Sequence, residues 1–159
     1  MTRDHIAALF ARRQQAWNQR DAAALATDYT DDATVESPLA GGSAAGRDAI
    51  ERLYATYFAA FPDFKIEQEL ILIDGDNVAQ LVRVTGTDSG GFMGMAPTNR
   101  KISFRCGLFH VVKNGQIILL GTVASKGDSD IAYIQCNSVP MAFKVFNLLR
   151  VREAEKKSS

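Results

Sequence analysis

The stretch Thr85–Phe104, T-G-T-D-S-G-G-F-M-G-M-A-P-T-N-R-K-I-S-F, connects two runs whose residues alternate as in β-strands, Val78–Val84 and Lys101–Val112. A plain hairpin needs only about two to five loop residues. This connection instead contains four glycines, one proline and the apolar residues Phe92 and Met93. Loops of this kind are commonly functional or folded over another part of the molecule. We therefore predict that the loop borders a functional site.

Length and charge indicate one globular domain and argue against a polyanionic partner. The chain has 159 residues, which is enough for a single domain with a hydrophobic core. Lys and Arg together number 18, as do Asp and Glu, so the formal net charge is zero. A neutral chain gives no electrostatic reason to expect nucleic acid or an anionic membrane surface as a partner.

The cysteines, the histidines and the N-terminus favour a cytoplasmic protein without a metal site. Cys106 and Cys136 form no C-x-x-C motif and are interpreted as free thiols in a reducing compartment. His5 and His110 supply no clustered metal motif. The N-terminus lacks a basic segment followed by an apolar one, and no apolar run reaches about 18 residues.

Helical periodicity dominates the first part of the chain. Ile6, Leu9, Phe10, Arg13 and Trp17 recur on one face of a helix. Helical sequence is predicted from Thr2 to about Ala26, with a break at Trp17–Asp21 and a second short helix Ala22–Tyr29 capped by Asp21. Polar residues Tyr29–Ala33 follow, and then a short strand Thr34–Ser37 stopped by Pro38. A flexible loop Gly41–Gly46 leads to a helix Asp48–Phe61.

After Pro62 the period changes to two residues, which is typical of strands. The predicted elements are strands Phe64–Ile73, Val78–Thr85, Lys101–Val112 and Gln116–Ala124, a hairpin turn at Asn114-Gly115, a short apolar segment Ile131–Cys136 and a final helix from Pro140 to about Lys156. Helices first and strands afterwards indicate an α+β fold rather than α/β. A bent antiparallel sheet packed on three helices would enclose a cavity.

The loop and several shorter segments resemble the SnoaL-like polyketide cyclases of the NTF2-like superfamily. The loop reads Gly86-Thr87-Asp88-Ser89-Gly90-Gly91-Phe92-Met93-Gly94 and then Pro97-Thr98-Asn99-Arg100, where the family has G-T-H-x-G-x-F-x-G and P-T-G-R. The supporting segments are Phe10-x₆-Trp17-Asn18-x-Arg20-Asp21, Tyr29-x-x-Asp32-Ala33-x-Val35-x-Ser37-Pro38, Gly46-Arg47-Asp48-Ala49-Ile50, Ala60-Phe61-Pro62-Asp63-Phe64 and Ile131-Ala132-Tyr133-Ile134-Gln135. The sequence departs from the family at Asp88, where His is common, and at Asn99.

The resemblance implies a cone of strongly curved antiparallel or mixed sheet packed on three N-terminal helices. Residues 1–139 would form the single domain, and residues 140–159 would add a C-terminal helix that caps the cone or packs on a second subunit. The family also implies a homodimer, an apolar small-molecule substrate, no metal or organic cofactor, and an acid or base that faces the cavity.

Asp88 is the first candidate for that acid or base. It follows a strand at the start of the loop, at the position where the family often has a pocket His. The alternative is an Asx-turn, because Thr-Asp-Ser-Gly is favourable turn chemistry.

Asp128 is the second candidate, since the family carries a catalytic Asp at the end of the strand after the Asn-Gly turn. Counting forward from Gly115 without gaps places Ser125 there, whereas counting back from Gln135 places Asp128. The alternative is a solvated turn residue. His110 is a third candidate, although a single His on a strand is more often structural.

The predicted substrate-binding residues come from the helices, the first strand and the loop. They are Trp17, Arg13, Tyr29, Ser37, Tyr57, Phe61, Phe92 and Met93. Arg13 lies on an apolar helix face, so we expect it to have an anionic partner, either an acidic side chain or a substrate carboxylate or enolate.

Two functions follow from these observations. One is a cofactor-independent enzyme that assists intramolecular aldol cyclisation, isomerisation or dehydration. The other is a binding or scaffold protein that keeps the cone without chemistry. Steroid isomerisation of the ketosteroid isomerase type is not expected, because the base of those enzymes corresponds to Ser37 and their helical tyrosine to Arg13.

Overall fold

The computed structural model describes residues 2–37, 42–92 and 94–124. Three helices come early in the chain: α1 (Arg3–Gln19), α2 (Ala22–Thr27) and α3 (Arg47–Ala60). The strands are β1 (Tyr29–Ser37), β2 (Gly42–Ala45), β3 (Lys65–Asp74), β4 (Asn77–Thr87), β5 (Lys101–Lys113) and β6 (Gln116–Ala124). The predicted segments Ile131–Cys136 and Pro140–Lys156 lie outside the described residues.

Local side-chain chemistry sets the ends of the first two helices. The Thr2 hydroxyl accepts a hydrogen bond from the backbone N–H of His5, and the Asp21 carboxylate accepts one from Ala24 at 2.9 Å. Such caps satisfy N–H groups that have no partner within the helix. Between the helices, Arg20 takes a left-handed conformation with φ 56°. The predicted break after Trp17 is therefore confirmed.

The strands form one mixed sheet in the order β2-β1-β6-β5-β4-β3. Strand β1 runs parallel to β6, and the other neighbouring pairs are antiparallel. The register shifts in β1 between Tyr29 and Thr34, in β3 between Gln68 and Leu70, and in β5 between Val111 and Val112. Because such irregularities bend a strand and increase its twist, the sheet curves around the helices. The predicted α+β fold with a mixed sheet is confirmed.

The structure corrects two sequence predictions around the first strand. The segment Tyr29–Ala33, predicted to be a polar connection between elements, belongs to β1. The predicted flexible loop Gly41–Gly46 contains strand β2. Pairing with β6 and β2 decides both cases, since strand formation depends more on neighbours than on intrinsic preference. Arg47 adds to this by donating to the carbonyl oxygen of Tyr29 at 2.7 Å.

The long loop between β4 and β5 docks on the end of α3. The N–H groups of Ser89 and Gly90 both donate to the carbonyl oxygen of Ala60, at 3.2 and 3.0 Å. Gly90 lies so close to the helix that an added Cβ atom would sit 2.0 Å from the carbonyl oxygen of Ala59. Glycine is therefore required here by close backbone approach.

We predict that Gly90→Ala lowers the free energy of unfolding by about 1–3 kcal/mol, because the loop or the end of α3 must move to remove the clash. Denaturant unfolding measures this change. Ser89→Ala is the matched control, since the Ser89 side chain is exposed and the variant keeps both N–H donors. Equal stability of the two variants would contradict the close docking.

His110 lies in the core between the sheet and α1. Its side chain is 1% exposed, and its ring meets Phe10 edge-on at 4.7 Å between centroids. The Gln80 amide donates to Gln68 at 2.6 Å, which leaves the Gln80 oxygen to accept from His110 Nε2 at 3.1 Å. Burial, together with the charge of Arg13, lowers the pKa of His110 well below 6.5. The imidazole is therefore neutral in the folded protein.

We predict that the free energy of unfolding falls as the pH drops below about 6.5. The reason is that His110 binds a proton in the unfolded chain at a pH where it stays neutral in the folded protein. A folded pKa below the unfolded one contributes stability above the unfolded pKa, and that stability is lost on acidification. The slope contributed by this group is up to about 1.4 kcal/mol per pH unit. Denaturant unfolding between about pH 7.5 and pH 5.5 measures it. His110→Gln should remove this slope, whereas substitution of the exposed His5 to Gln should keep it.

Candidate functional site

The helices and the concave face of the sheet border a partly open apolar cavity of about 230 Å³. Helix α1 contributes Trp17, α3 contributes Tyr54, Tyr57 and Phe61, and the long loop contributes Phe92. The strands supply the rest of the wall with alternate residues, because side chains two apart along a strand share one face. These strand residues are Val35, Ser37, Ile66, Val82, Val84, Ile102, Phe104, Cys106, Leu108, Leu120 and Thr122, with Phe64 just before β3.

Aromatic contacts connect the helical wall of the cavity to the loop. The Trp17 ring stacks on Phe64 at 5.5 Å and meets Tyr54 edge-on at 4.9 Å between centroids. Phe92 lies 5.7 Å from the ring of Tyr57 and 5.6 Å from that of Phe61. The loop therefore extends the aromatic wall of the cavity, in agreement with the prediction that it borders a site.

Five of the predicted substrate-binding residues line this cavity. They are Trp17, Ser37, Tyr57, Phe61 and Phe92. Arg13 and Tyr29 are buried beside it without lining it. Met93 lies outside the described residues, and so does the catalytic candidate Asp128. Sequence reasoning did not single out Cys106 and Thr122 as wall residues, although alternation along the predicted strands places Cys106 on the inner face with Leu108.

The polar residues among those that line the cavity mainly carry hydroxyls, namely Ser37, Tyr54, Tyr57 and Thr122. Burial raises the pKa of Tyr57 to about 12, and a contact with Ser37 opposes that rise. Burial also raises the pKa of Tyr54 above 10. Both phenols are therefore protonated near neutral pH and can donate hydrogen bonds. Apolar surroundings make such hydrogen bonds stronger than they would be in water.

Arg13 has its anionic partner within the chain. Its guanidinium contacts the Asp28 carboxylate at 3.2 Å and donates to the carbonyl oxygen of Leu25 at 3.0 Å. It also donates to the Tyr29 hydroxyl at 3.3 Å, while Arg12 pairs with the same aspartate. Both Arg13 and Asp28 are almost completely buried. Of the two alternatives for Arg13, an acidic side chain or a substrate anion, the structure supplies the first.

Asp88, the first candidate for the acid or base facing the cavity, is not among the described residues that line it. Its Oδ2 atom accepts hydrogen bonds from the backbone N–H of Thr98 at 3.1 Å and from the Thr98 hydroxyl at 2.7 Å. The Asp88 backbone also pairs with Asn99 and Arg100. The carboxylate thus closes the loop through Thr98, ten residues further along, rather than through the local Asx-turn of the alternative interpretation. Its Oδ1 atom is buried and has no hydrogen-bond partner within the described residues.

His110, the remaining catalytic candidate, is also absent from the cavity wall. Leu108 lines the cavity on the same strand face, and His110 lies two residues further along, against Phe10. Its Nδ1 atom has no hydrogen-bond partner in the described part of the chain. This position favours a structural role for the ring.

Residues 2–37, 42–92 and 94–124 contain no group of three His, Cys, Asp or Glu side chains arranged to hold a metal ion. None of the helices there is long and apolar enough to span a membrane.

Comparison with known proteins places the chain in a family. A model of the SnoaL-like domain matches residues 6–120. Among solved structures, AclR from Streptomyces galilaeus, a candidate hydroxylase, is 26% identical and superposes with a TM-score of 0.64 over 74% of this chain and 86% of AclR. IdmH from Streptomyces antibioticus, a candidate polyketide cyclase, is 26% identical with a TM-score of 0.63, covering 75% of this chain and 91% of IdmH.

A more distant structure supports the fold alone. A protein with a ketosteroid isomerase-like fold from Catenulispora acidiphila is 16% identical and has a TM-score of 0.61, covering 77% of this chain and 88% of its own. A comparison with curated proteins finds no match. Taken with the mixed sheet, the three helices and the apolar cavity between them, the family match shows that the chain belongs to the SnoaL-like domain family and has the NTF2-like cone fold.

Proposed function

We propose that this protein is a cofactor-independent enzyme of the SnoaL-like polyketide cyclase type. It binds an apolar polyketide-like or terpenoid-like ketone in the cone cavity. It then assists enolisation that leads to an intramolecular aldol reaction, an isomerisation or a dehydration. One observation carries the proposal: the cone holds an apolar cavity whose lining residues include Tyr54 and Tyr57, two phenols that stay protonated near neutral pH.

The cavity suits a small polycyclic ligand. An apolar cavity of about 150 Å³ is known to take up benzene. At about 230 Å³, this cavity suits a bicyclic molecule of similar polarity. Trp17, Phe64 and Phe92 line the cavity with aromatic side chains. Removal of its apolar surface from water provides about 25 cal/mol per Å² towards binding.

The phenols can stabilise the charge that develops during enolisation. When a base removes the proton from the carbon beside a carbonyl, the electron pair moves to oxygen and the oxygen becomes a stronger hydrogen-bond acceptor. Preorganised donors in a dry cavity then stabilise the transition state more than the ketone. Because the pKa of Tyr57 is about 12, its hydroxyl stays protonated and serves as such a donor.

A carboxylate is the proposed base. Asp88 is the candidate among the described residues, because its Oδ1 atom is buried and unpaired while Oδ2 is held by Thr98. To act, Asp88 must reach the substrate by movement of the loop that carries Phe92. Asp128 remains the alternative proposed from the family resemblance. The protonated acid would return the proton to the new alkoxide and complete the aldol step.

A binding or scaffold protein is the second candidate. The observation that favours it is the chemistry of the cavity wall, whose described members include no Asp, Glu or His. Such a protein would bind the same ketones and leave them unchanged.

We predict that the protein accelerates deuterium exchange at the carbon beside the carbonyl of 1-tetralone in D₂O, followed by NMR. Tyr57→Phe should slow this exchange on the order of 100-fold, the effect of removing one donor to a developing oxyanion. Thr56→Val is the control, because it removes an exposed hydroxyl bound to Arg52 on the same helix.

The base assignment has its own test in the same assay. Asp88→Asn should abolish the acceleration while 1-tetralone still binds, because the amide keeps an oxygen that accepts from Thr98 but is no base. Unchanged exchange in this variant transfers the role to Asp128. Binding of the ketone by the wild type without any acceleration over buffer supports the scaffold function instead.

The homodimer implied by the resemblance stays a prediction, and the mass of the full chain in solution tests it.

A further inference from the structure

The outer face of the sheet carries a small hydrophobic cluster that is separate from the main core. Leu72 of β3, Ala79 of β4 and Phe109 of β5 form a row across three neighbouring strands, since each pairs with the next. On either side of Phe109, Leu108 faces the cavity and His110 faces α1, so Phe109 points to the other side of the sheet. The described helices pack in the main core on the inner face. The row therefore lies on the face away from these helices.

Phe109 is more deeply buried than its neighbours on this face can explain. Phe109 is only 6% exposed, and Ala79 is 7% exposed. The two residues that pair with Phe109 across the strands are Ala79 and Gly121. Along β5, its nearest neighbours on the same face are Gly107 and Val111. A buried phenylalanine removes about 150–250 Å² from water, and neighbours as small as Gly and Ala leave one side of the ring uncovered. Another part of the chain must cover it.

The long polar side chains of this face do not supply the cover. Arg83 and Arg105 both pair with Glu69 of β3, at 3.1 and 3.0 Å. Arg105 lies four residues before Phe109, which is about 13 Å along the strand. Its guanidinium is directed across the sheet towards β3. We therefore look for the cover outside the described ranges.

Among the remaining parts of the chain, residues 125–159 begin close to Phe109. Strand β6 ends at Ala124, which pairs with Cys106 on β5. Cys106 precedes Phe109 by three residues, or about 10 Å along the strand. Residues 38–41 join β1 to β2 at the far edge of the sheet, and residue 93 belongs to the loop docked on α3. The segment after β6 is thus the one with access to the row.

This segment has an apolar stripe that matches the row in length. The stripe consists of Ala142, Val145, Phe146 and Leu149, which recur at helical spacing in the predicted helix Pro140–Lys156. Its first and last residues would lie about 10 Å apart along a helix axis. The row from β3 to β5 spans two strand spacings, which is also about 10 Å. Residues 125–139 are long enough for the connection, because an extended residue spans up to about 3.3 Å.

We propose that residues 140–156 form an amphipathic helix that docks on the outer face of the sheet and covers Phe109 and Ala79. The occupant belongs to the same chain, because these two residues are already buried in a single copy. This placement differs from both alternatives that the sequence left open, a cap on the cone and packing on a second subunit. It goes beyond the proposed function, since the row lies on the opposite side of the sheet from the cavity.

Methyl NMR of the full chain tests the contact directly. In protein labelled at the methyl groups of alanine, valine and leucine, we expect NOE cross-peaks from Ala79 to Val145 or Leu149. The cross-peak between Ala79 and Leu72 is the internal reference, because these side chains pack together in the sheet. A second sample mixes chains labelled only at alanine with chains labelled only at valine and leucine. We expect the cross-peaks from Ala79 to the stripe to be lost in this mixture, since they arise within one chain.

Phe146→Asp is the decisive variant, because it places a charge in the middle of the stripe. We expect it to remove the cross-peaks from Ala79 to the stripe and to keep the one to Leu72, which reports a folded sheet. Asn147→Asp is the matched control, since it introduces the same charge on the polar side of the predicted helix, and it should keep every cross-peak. Should Phe146→Asp lose the reference cross-peak, the uncharged Phe146→Gln should give the same selective loss.

Three other results overturn the inference, and each identifies a different arrangement. Cross-peaks from Ala79 to the stripe that persist in the mixed sample mean that the segment of a second copy covers this face. Cross-peaks from the stripe to the cavity residues Val82 and Leu108 mean that the segment caps the cone. Absence of contact between Ala79 and the stripe in the wild type, or contact that survives Phe146→Asp, means that the segment does not dock here. The proposed function is tested separately, by the exchange assay with 1-tetralone.

Discussion

Burial of the Arg13 guanidinium is the constraint on which the site depends. A buried cation is tolerated only with a nearby anion and with acceptors for its N–H groups, and Asp28, Leu25 and Tyr29 provide these. All three partners lie on α2, at its end or at the start of β1. The interaction therefore joins the first helix to the first strand. It also brings a positive charge close to phenols that sit at the cavity.

The cavity depends on a second constraint, the docking of the long loop against α3. Gly90 can approach the backbone of Ala59 because it has no side chain, and the Ala60 carbonyl accepts from two loop N–H groups. This docking puts Phe92 beside Tyr57 and Phe61. Asp88 ties the other end of the loop to Thr98. The loop thus holds an aromatic wall in place. In this conformation the Asp88 carboxylate contributes by binding Thr98 within the loop.

The separation between wall and ionisable groups defines the chemistry of the site. Several lining residues carry hydroxyls, whereas Asp88, His110 and Arg13 are not among the described residues that line the cavity. A neutral donor in an apolar cavity can stabilise charge on a ligand oxygen without the cost of burying a charge of its own. The proposed function therefore assigns proton removal to a group other than the described residues that line the cavity.

The sequence by itself determined the elements and the family. Side-chain caps at Thr2 and Asp21, the two-residue period of β3 to β6 and the Asn114-Gly115 turn are local signals, and the structure confirms them. The apolar helix face and the loop motif likewise predicted that Trp17 and Phe92 belong to the cavity.

Only the tertiary structure decided what the polar residues contact. Strands at Tyr29–Ala33 and Gly42–Ala45 form because β6 and β1 supply partners that no local pattern reveals. The same reason applies to Arg13, whose position on an apolar face predicted a buried anion but could not identify Asp28. A sequence pattern also cannot place Asp88, because whether a carboxylate turns into the cavity or back to Thr98 depends on the path of the loop between them. Contacts between residues distant in the chain are determined by packing, and in this protein those contacts decide which side chains line the cavity.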